Sequence, residues 1–379
     1  MKKFFGEAYS ANTEGTRRYH ELDSLRGIAS LTVFFSHFSF SNVFAGLEFE
    51  RISKSPLHLL WDGESAVLFF FVLSGFVLAL PYVKTERPIE LAGFYNKRIL
   101  RIYPAFIGAI LLCLIFKYAL YNPENTGHYS NWLKGIWQWD FKDNWKHIIK
   151  TPFLLVFDFN TNLLNPPIWS LQFEMKISIL LPFLIICIKK NTFVFNALFI
   201  IALVYLNMDF YVAVFYFGVL LASYHEIAGA YLKRLPKVAV VFFFIVAALL
   251  YSCRYALGIG DDPGTTSRLH LYISVAGSCI FIIMAIHQPG ISRFLKNRVC
   301  QFLGKISYSF YLIHLPILIV TASLLPFTNN YSVIIWMLAS LSLSWLLSLA
   351  MYRFIEMPFQ QLAHWMVKRF AIFRRIRLQ

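Results

Sequence analysis

Long apolar runs separated by short polar and basic stretches decide what this chain can fold into. Ten such runs are read as helices, at approximately 27–46, 64–83, 102–121, 168–188, 192–207, 210–228, 238–257, 270–288, 307–325 and 332–352. A helix needs about 20 apolar residues to cross the hydrocarbon layer. One large soluble core does not call for so many runs of that length. Charged residues are only 15% of the chain and hydrophobic residues 58%, against about 25% charged in a soluble globular domain. The expected fold is therefore an all-α integral membrane protein of about ten transmembrane helices.

The formal net charge is +15. That charge sits between the apolar runs, so it reads as topology-setting loop charge and not as a nucleic-acid surface. With ten spans both termini share one side. That side holds about 25 of the 35 Lys and Arg residues, and the opposite loops hold about nine. Positively charged loops stay in the cytoplasm, so both termini are expected there. The segment 1–26 is polar and basic and lacks the apolar stretch of a signal peptide. It reads as a cytoplasmic lead-in to an uncleaved first helix. The basic end, 355–379, carries Arg369, Arg374, Arg375 and Arg377, a composition suited to anionic lipid headgroups.

The longest stretch between spans, 122–167, is expected outside. Its Trp132, Trp137, Trp139 and Trp145 suit the membrane interface, where the ring is buried and the N–H stays wet. The segment can anchor to the bilayer or cover an acceptor site. The five cysteines include no C-x-x-C pair, so neither a disulfide framework nor a metal site is expected.

Ionisable groups inside apolar spans are costly and point to function. Arg26 and His37 are eleven residues apart, which at 3.6 residues per turn is about 20° beyond three turns and roughly 16 Å along the axis. They share one face of the first helix, Arg26 at its cytoplasmic end and His37 near mid-membrane. Glu174 follows Trp169-Ser170-Leu171 at the outer end of the fourth span and can orient a histidine or bind sugar hydroxyls. Arg98 and Arg101 lie at the cytoplasmic end of the third span, where plain loop charge and a phosphate grip are both open. Ser307, Tyr308, Tyr311 and His314 recur at helical spacing and form a polar stripe on the ninth span. Such stripes also join helices. Ser74-Gly75 adds a small-residue step to the second span.

Six blocks in order, LDSLRGIASLTVFFSHF, FFFVLSGFVLA, KRILRIYPAF, NPPIWSLQFE, LGKISYSFYLIHLP and YRFIEMPF, resemble the acyltransferase-3 family of bacterial membrane proteins. They run from residue 22 to about 359, and the Arg26–His37 spacing matches the family's Arg-x10-His signature. The resemblance implies transfer of an acyl group, usually acetyl, from acyl-CoA to a hydroxyl of a cell-envelope sugar, polysaccharide or lipid-linked glycan in the bacterial cytoplasmic membrane. His37 matches the essential histidine, Arg26 its paired arginine, Arg98 and Arg101 the basic motif, and Glu174 the first acid after Trp-Ser-Leu. Family members often carry a second acid there, whereas Met175 and Lys176 follow in this chain. Some members also carry a C-terminal esterase-like domain, and this chain is expected to act alone or with a separate partner.

The expected roles follow. Arg26, Arg98 and Arg101 hold the phosphates of acetyl-CoA or another acyl-CoA. His37 is the general base or a transient acyl carrier, with Glu174 beside the outer mouth. Trp169, Tyr308 and His314 line the substrate path. No metal takes part. The competing expectation is a transporter or flippase for a glycan or small organic acid, which would use the same intramembrane charges for proton coupling.

Overall fold

A computed structural model of the chain describes residues 18–41, 55–83, 89–126, 129–138, 141–150, 164–190, 193–205, 210–256, 268–325 and 330–377. Every regular element among them is helical. In chain order these are α1 His20–Ser41, α2 Gly63–Val83, α3 Leu91–Ala119, α4 Asn131–Ile136, α5 Phe141–Lys150, α6 Ile168–Lys190, α7 Phe193–Tyr205 and α8 Phe210–Arg234. There follow α9 Lys237–Tyr251, α10 Cys253–Ala256, α11 Leu269–His287, α12 Pro289–Leu295, α13 Arg298–Leu324, α14 Asn330–Met351 and α15 Met357–Arg377.

A helix occupies each of the ten expected segments. Among the described residues, seven helical stretches are long and apolar enough to cross a membrane: α2, α3, α6, α8, α11, α13 and the continuous stretch formed by α14 and α15. The chain is a multi-pass membrane protein. The helices α7 and α9, of 13 and 15 residues, would cover only about 20–23 Å at 1.5 Å per residue. The 22-residue α1 opens with Glu21, Asp23 and Arg26 and buries Ser24, Ser30, Thr32 and Ser36. It lies inside the bundle, where polar side chains meet protein partners instead of lipid.

Three boundaries differ from the expectation. α1 starts at His20, not 27, because Glu21 is held by Ser292 (2.6 Å) and Lys296 (2.8 Å) and so stays helical while buried. α3 starts at Leu91, not 102, which puts Arg98 and Arg101 on the helix itself. The basic tail is a helix joined to α14 by a π-helical turn, Tyr352–Glu356, whose buried Glu356 accepts hydrogen bonds from the backbone N–H and hydroxyl of Ser309. Of the four interfacial tryptophans, Trp139 lies outside the described residues. Trp132 and Trp145 are exposed, and Trp137 is buried.

α13 is the hub, buried almost continuously from Ile306 to Ser323. Asn297 caps its start, accepting from Cys300 N–H at 2.8 Å. Pro316 lies inside it, and proline frees the carbonyl four residues back. That carbonyl, Leu312 O, is taken by Asn165 Nδ2 at 2.6 Å, so the segment before α6 is stitched to α13. α1 packs along α13 and α2 along α8. Both crossings are glycine contacts. A Cβ on Gly27 would sit 2.5 Å from the Leu303 carbonyl carbon, and one on Gly75 would strike the Phe215 carbonyl oxygen. Small residues let backbones approach this closely in membranes.

Candidate active site

One cavity gathers most of the charged residues singled out in the sequence. Arg26 from α1, Arg98 and Arg101 from α3, Glu174 from α6 and Tyr308 from α13 line it, with Ser74 from α2. Arg98 Nη2 donates to Glu174 Oε1 at 2.7 Å, and its Nε and Nη2 reach Ser178 Oγ at 3.1 and 2.8 Å. Ser74 Oγ also faces Glu174 at 3.4 Å. Arg26 leans on Asp23 at 3.3 Å, but Asp23 is shared with Arg18 at 2.8 Å. Arg101 has no ion-pair or hydrogen-bond partner among the described residues. Three guanidiniums against one lining carboxylate make an anion-attracting pocket, with planar forks that suit phosphate.

His37 is outside this group, paired with His314. His37 Nδ1 and His314 Nε2 are 2.7 Å apart, with ring centroids 5.0 Å apart and 7° between the ring planes. Face-to-face rings cannot bring nitrogens that close, so the imidazoles meet edge to edge in nearly one plane. His314 Nδ1 is 2.8 Å from Tyr311 O and 3.2 Å from Phe310 O. Carbonyls only accept, so His314 carries its proton on Nδ1 and presents a bare Nε2. His37 must then donate from Nδ1, which leaves the lone pair of its own Nε2 free. No hydrogen bond engages that atom among the described residues. The pairing sets which nitrogen of His37 can take a proton.

Tyr311 stands between the two clusters. Its ring lines the arginine cavity and lies 5.9 Å from the His314 ring. Its hydroxyl is pinned by Ser170 Oγ at 2.8 Å and Pro167 O at 3.2 Å. Tyr311 therefore lies between the arginine cavity and the histidine pair, touching both.

The polar stripe on α13 is divided: Ser307, Tyr308 and Tyr311 face the arginines, and His314 faces His37. Tyr308 also donates to Ile102 O at 2.9 Å. Glu174, expected toward the outer mouth to orient a histidine or bind sugar hydroxyls, pairs instead with Arg98. α3 carries Arg98 far enough along its axis to pair with Glu174, and that ion pair fixes the carboxylate in the arginine cavity. Trp169 packs among Phe71, Phe173 and Tyr211, with centroids 6.4, 6.0 and 5.4 Å away, and does not line the cavity. Ser170 and Ser178 were not singled out as site residues. Their only local sign is a small polar residue near Glu174 on an apolar helix.

A family model described as an acyltransferase domain matches residues 19–353. The chain is 25% identical over 327 residues to the O-acetyltransferase OatA of Staphylococcus aureus, covering 77% of this chain and 52% of that protein. It is 31% identical over 110 residues to the acyltransferase MdmB of Streptomyces mycarofaciens, 29% of this chain and 27% of that one. An uncharacterised protein of Haemophilus influenzae is 26% identical over 260 residues, 58% of this chain and 96% of that one. The chain thus spans about half the length of the OatA proteins it matches. No solved structure matches it. With a family model running through the arginine cavity and both histidines, this chain belongs to the acyltransferase-domain family.

Proposed function

We propose that this chain moves an acyl group, acetyl in the first instance, from acyl-CoA to a hydroxyl of a cell-envelope sugar, polysaccharide or lipid-linked glycan. The observation that carries the reading is the arginine cavity lined by Tyr311, whose ring lies 5.9 Å from a histidine pair of defined tautomer. Coenzyme A is anionic at one end and carries its thioester at the other. Arg26, Arg98 and Arg101 grip its phosphates. Glu174 holds the Arg98 fork in place and limits the charge left for the donor. The roughly 16 Å of helix between Arg26 and His37 suits the reach of the pantetheine arm toward the histidines.

At His37 the acceptor hydroxyl gives its proton to Nε2 while its oxygen attacks the thioester carbonyl carbon. The carbon–sulfur bond breaks, the coenzyme leaves as thiolate, and the proton passes from His37 to sulfur. His314 positions the ring. Its Nε2 accepts from His37 Nδ1 in both states, and that bond strengthens when His37 becomes imidazolium. In this reading the arginine end faces the cytoplasm, where acyl-CoA is made, and the opposite end of α1 faces the acceptor, an orientation that the lysine and arginine asymmetry of the sequence favours.

The test is transfer of labelled acetyl from acetyl-CoA into glycan and lipid fractions, in vesicles open to both faces. Label that needs the native protein supports the reading. Its absence with both acetyl and succinyl donors overturns the reading and leaves a transporter. Arg101→Ala is the cleanest probe of the donor grip, because it breaks none of the direct ion pairs of Glu174 or Asp23. It is expected to raise the apparent KM for the donor roughly tenfold to a hundredfold, the size of one hydrogen bond to a charged group. An unchanged donor KM would remove Arg101 from donor binding.

A further inference from the structure

At the end of α1 remote from Arg26, His37 is bordered by an aromatic surface that the mechanism leaves unused. The Trp132 indole lies 5.5 Å from the His37 ring with 21° between planes. Phe40, one turn beyond His37, lies 6.2 Å from Trp132 at 53°. Both rings stay open: Trp132 is 39% and Phe40 57% exposed.

The exposure is held in place. α4 buries Leu133 and Ile136, and Trp137 after it is buried too, its Nε1 donating to Leu164 O at 3.0 Å. Ser130 caps α4 with its hydroxyl, which accepts from Leu133 N–H, and its own N–H bonds Ser41 O at 3.1 Å, tying α4 to the end of α1. Lys117 Nζ reaches Trp137 O at 2.5 Å from α3. A short helix braced at so many points, with its largest ring left out beside a histidine, has the form of a binding surface.

We propose that Trp132 and Phe40 form an acceptor subsite that takes the apolar face of a pyranose ring. Whatever sits there must bring a hydroxyl to His37 Nε2, an assignment that rests on the acyl-transfer reading. A pyranose has a flat C–H face and a rim of hydroxyls. With that face on the open part of the indole, hydroxyls of the rim come within reach of the His37 ring 5.5 Å away. Large flat rings supply contact area with little entropy to lose, and the indole N–H adds a polar handle. A lipid tail would cover the rings but would bring no hydroxyl to His37.

The test uses purified protein and a panel of methyl pyranosides of glucose, galactose, mannose and N-acetylglucosamine, with open-chain glucitol as control. Tryptophan emission is followed in the native protein and in Trp132→Phe. A pyranoside is expected to change the native emission where glucitol does not, and that response should vanish in Trp132→Phe. In the transfer assay Trp132→Ala should raise the apparent KM for the same pyranoside at least about fivefold. A native protein that responds to no pyranoside overturns the proposal. So does an equal response in Trp132→Phe, or a Trp132 signal that answers only to lipid vesicles. The emission readout needs no acyl donor. A chain that fails to turn over acyl-CoA would therefore sink the acyl-transfer reading while leaving the subsite measurable.

Discussion

His37→Ala is expected to lower acyl transfer by roughly 10²–10⁴-fold, the range for loss of a general base, with membrane insertion and helix content unchanged. The truncation also strips His314 Nε2 of its donor, and an unsatisfied buried acceptor costs about 1–3 kcal/mol. His37→Gln separates the two effects, because its amide can donate to His314 but cannot take a proton at neutral pH. The glutamine variant should regain the stability that alanine loses and none of the rate. At position 314 the order reverses. His314→Gln can still accept from His37 Nδ1 and should keep much of the activity, whereas His314→Ala frees the His37 tautomer and should lose more. The measurements are turnover with labelled donor and thermal unfolding of all four variants in detergent. Equal turnover in native protein and His37→Gln would remove His37 from proton transfer. Equal losses in His314→Gln and His314→Ala would remove the tautomer argument.

That pairing marks the limit of what the sequence could say. The apolar runs placed the helices, because burial in lipid leaves a one-dimensional record. Helical geometry put Arg26 and His37 on one face; Arg26 lines a cavity that Tyr308 of α13 also lines, and His37 meets His314 of α13. The partner of each charged group was not legible. Arg98 and Glu174 are 76 residues apart, and His37 and His314 are 277 apart. No local periodicity encodes contacts between helices so far apart in the chain. Glu174 was therefore expected toward the outer mouth, orienting a histidine or binding sugar hydroxyls, from its place near the start of a span. The start of α1 was missed for a related reason. Glu21 looks like a residue outside the helix until Ser292 and Lys296, on or just after α12, close around it.

The crossing of α1 and α13 carries the other large effect, since it holds both halves of the site in register. Gly27 neighbours Arg26, and its absent side chain lets α1 lie against the backbone of Leu303 and Gly304. A Cβ there would stand 2.5 Å from the Leu303 carbonyl carbon and 2.6 Å from the Gly304 nitrogen, where real Cβ contacts stay beyond 3.0 Å. Those atoms are backbone and cannot swing aside, so Gly27→Ala must push the helices apart by the better part of an ångström. If α1 shifts as one rod, Arg26 moves within the cavity it shares with Tyr308, and His37 moves against His314, together. A displacement of about 1 Å in a catalytic arrangement costs about a hundredfold in rate. Gly27→Ala is thus expected to lose activity on that scale, with a higher donor KM and a lower kcat together, and Gly27→Val should lose the folded protein. Gly304→Ala, whose Cβ would strike Asp23 O from the other side, should behave like Gly27→Ala. Gly290→Ala is the control, since nothing lies within 4 Å of a Cβ there. Full activity in Gly27→Ala would mean that α1 and α13 can part without disturbing the site, and the dependence on His37–His314 contact would then have to be abandoned.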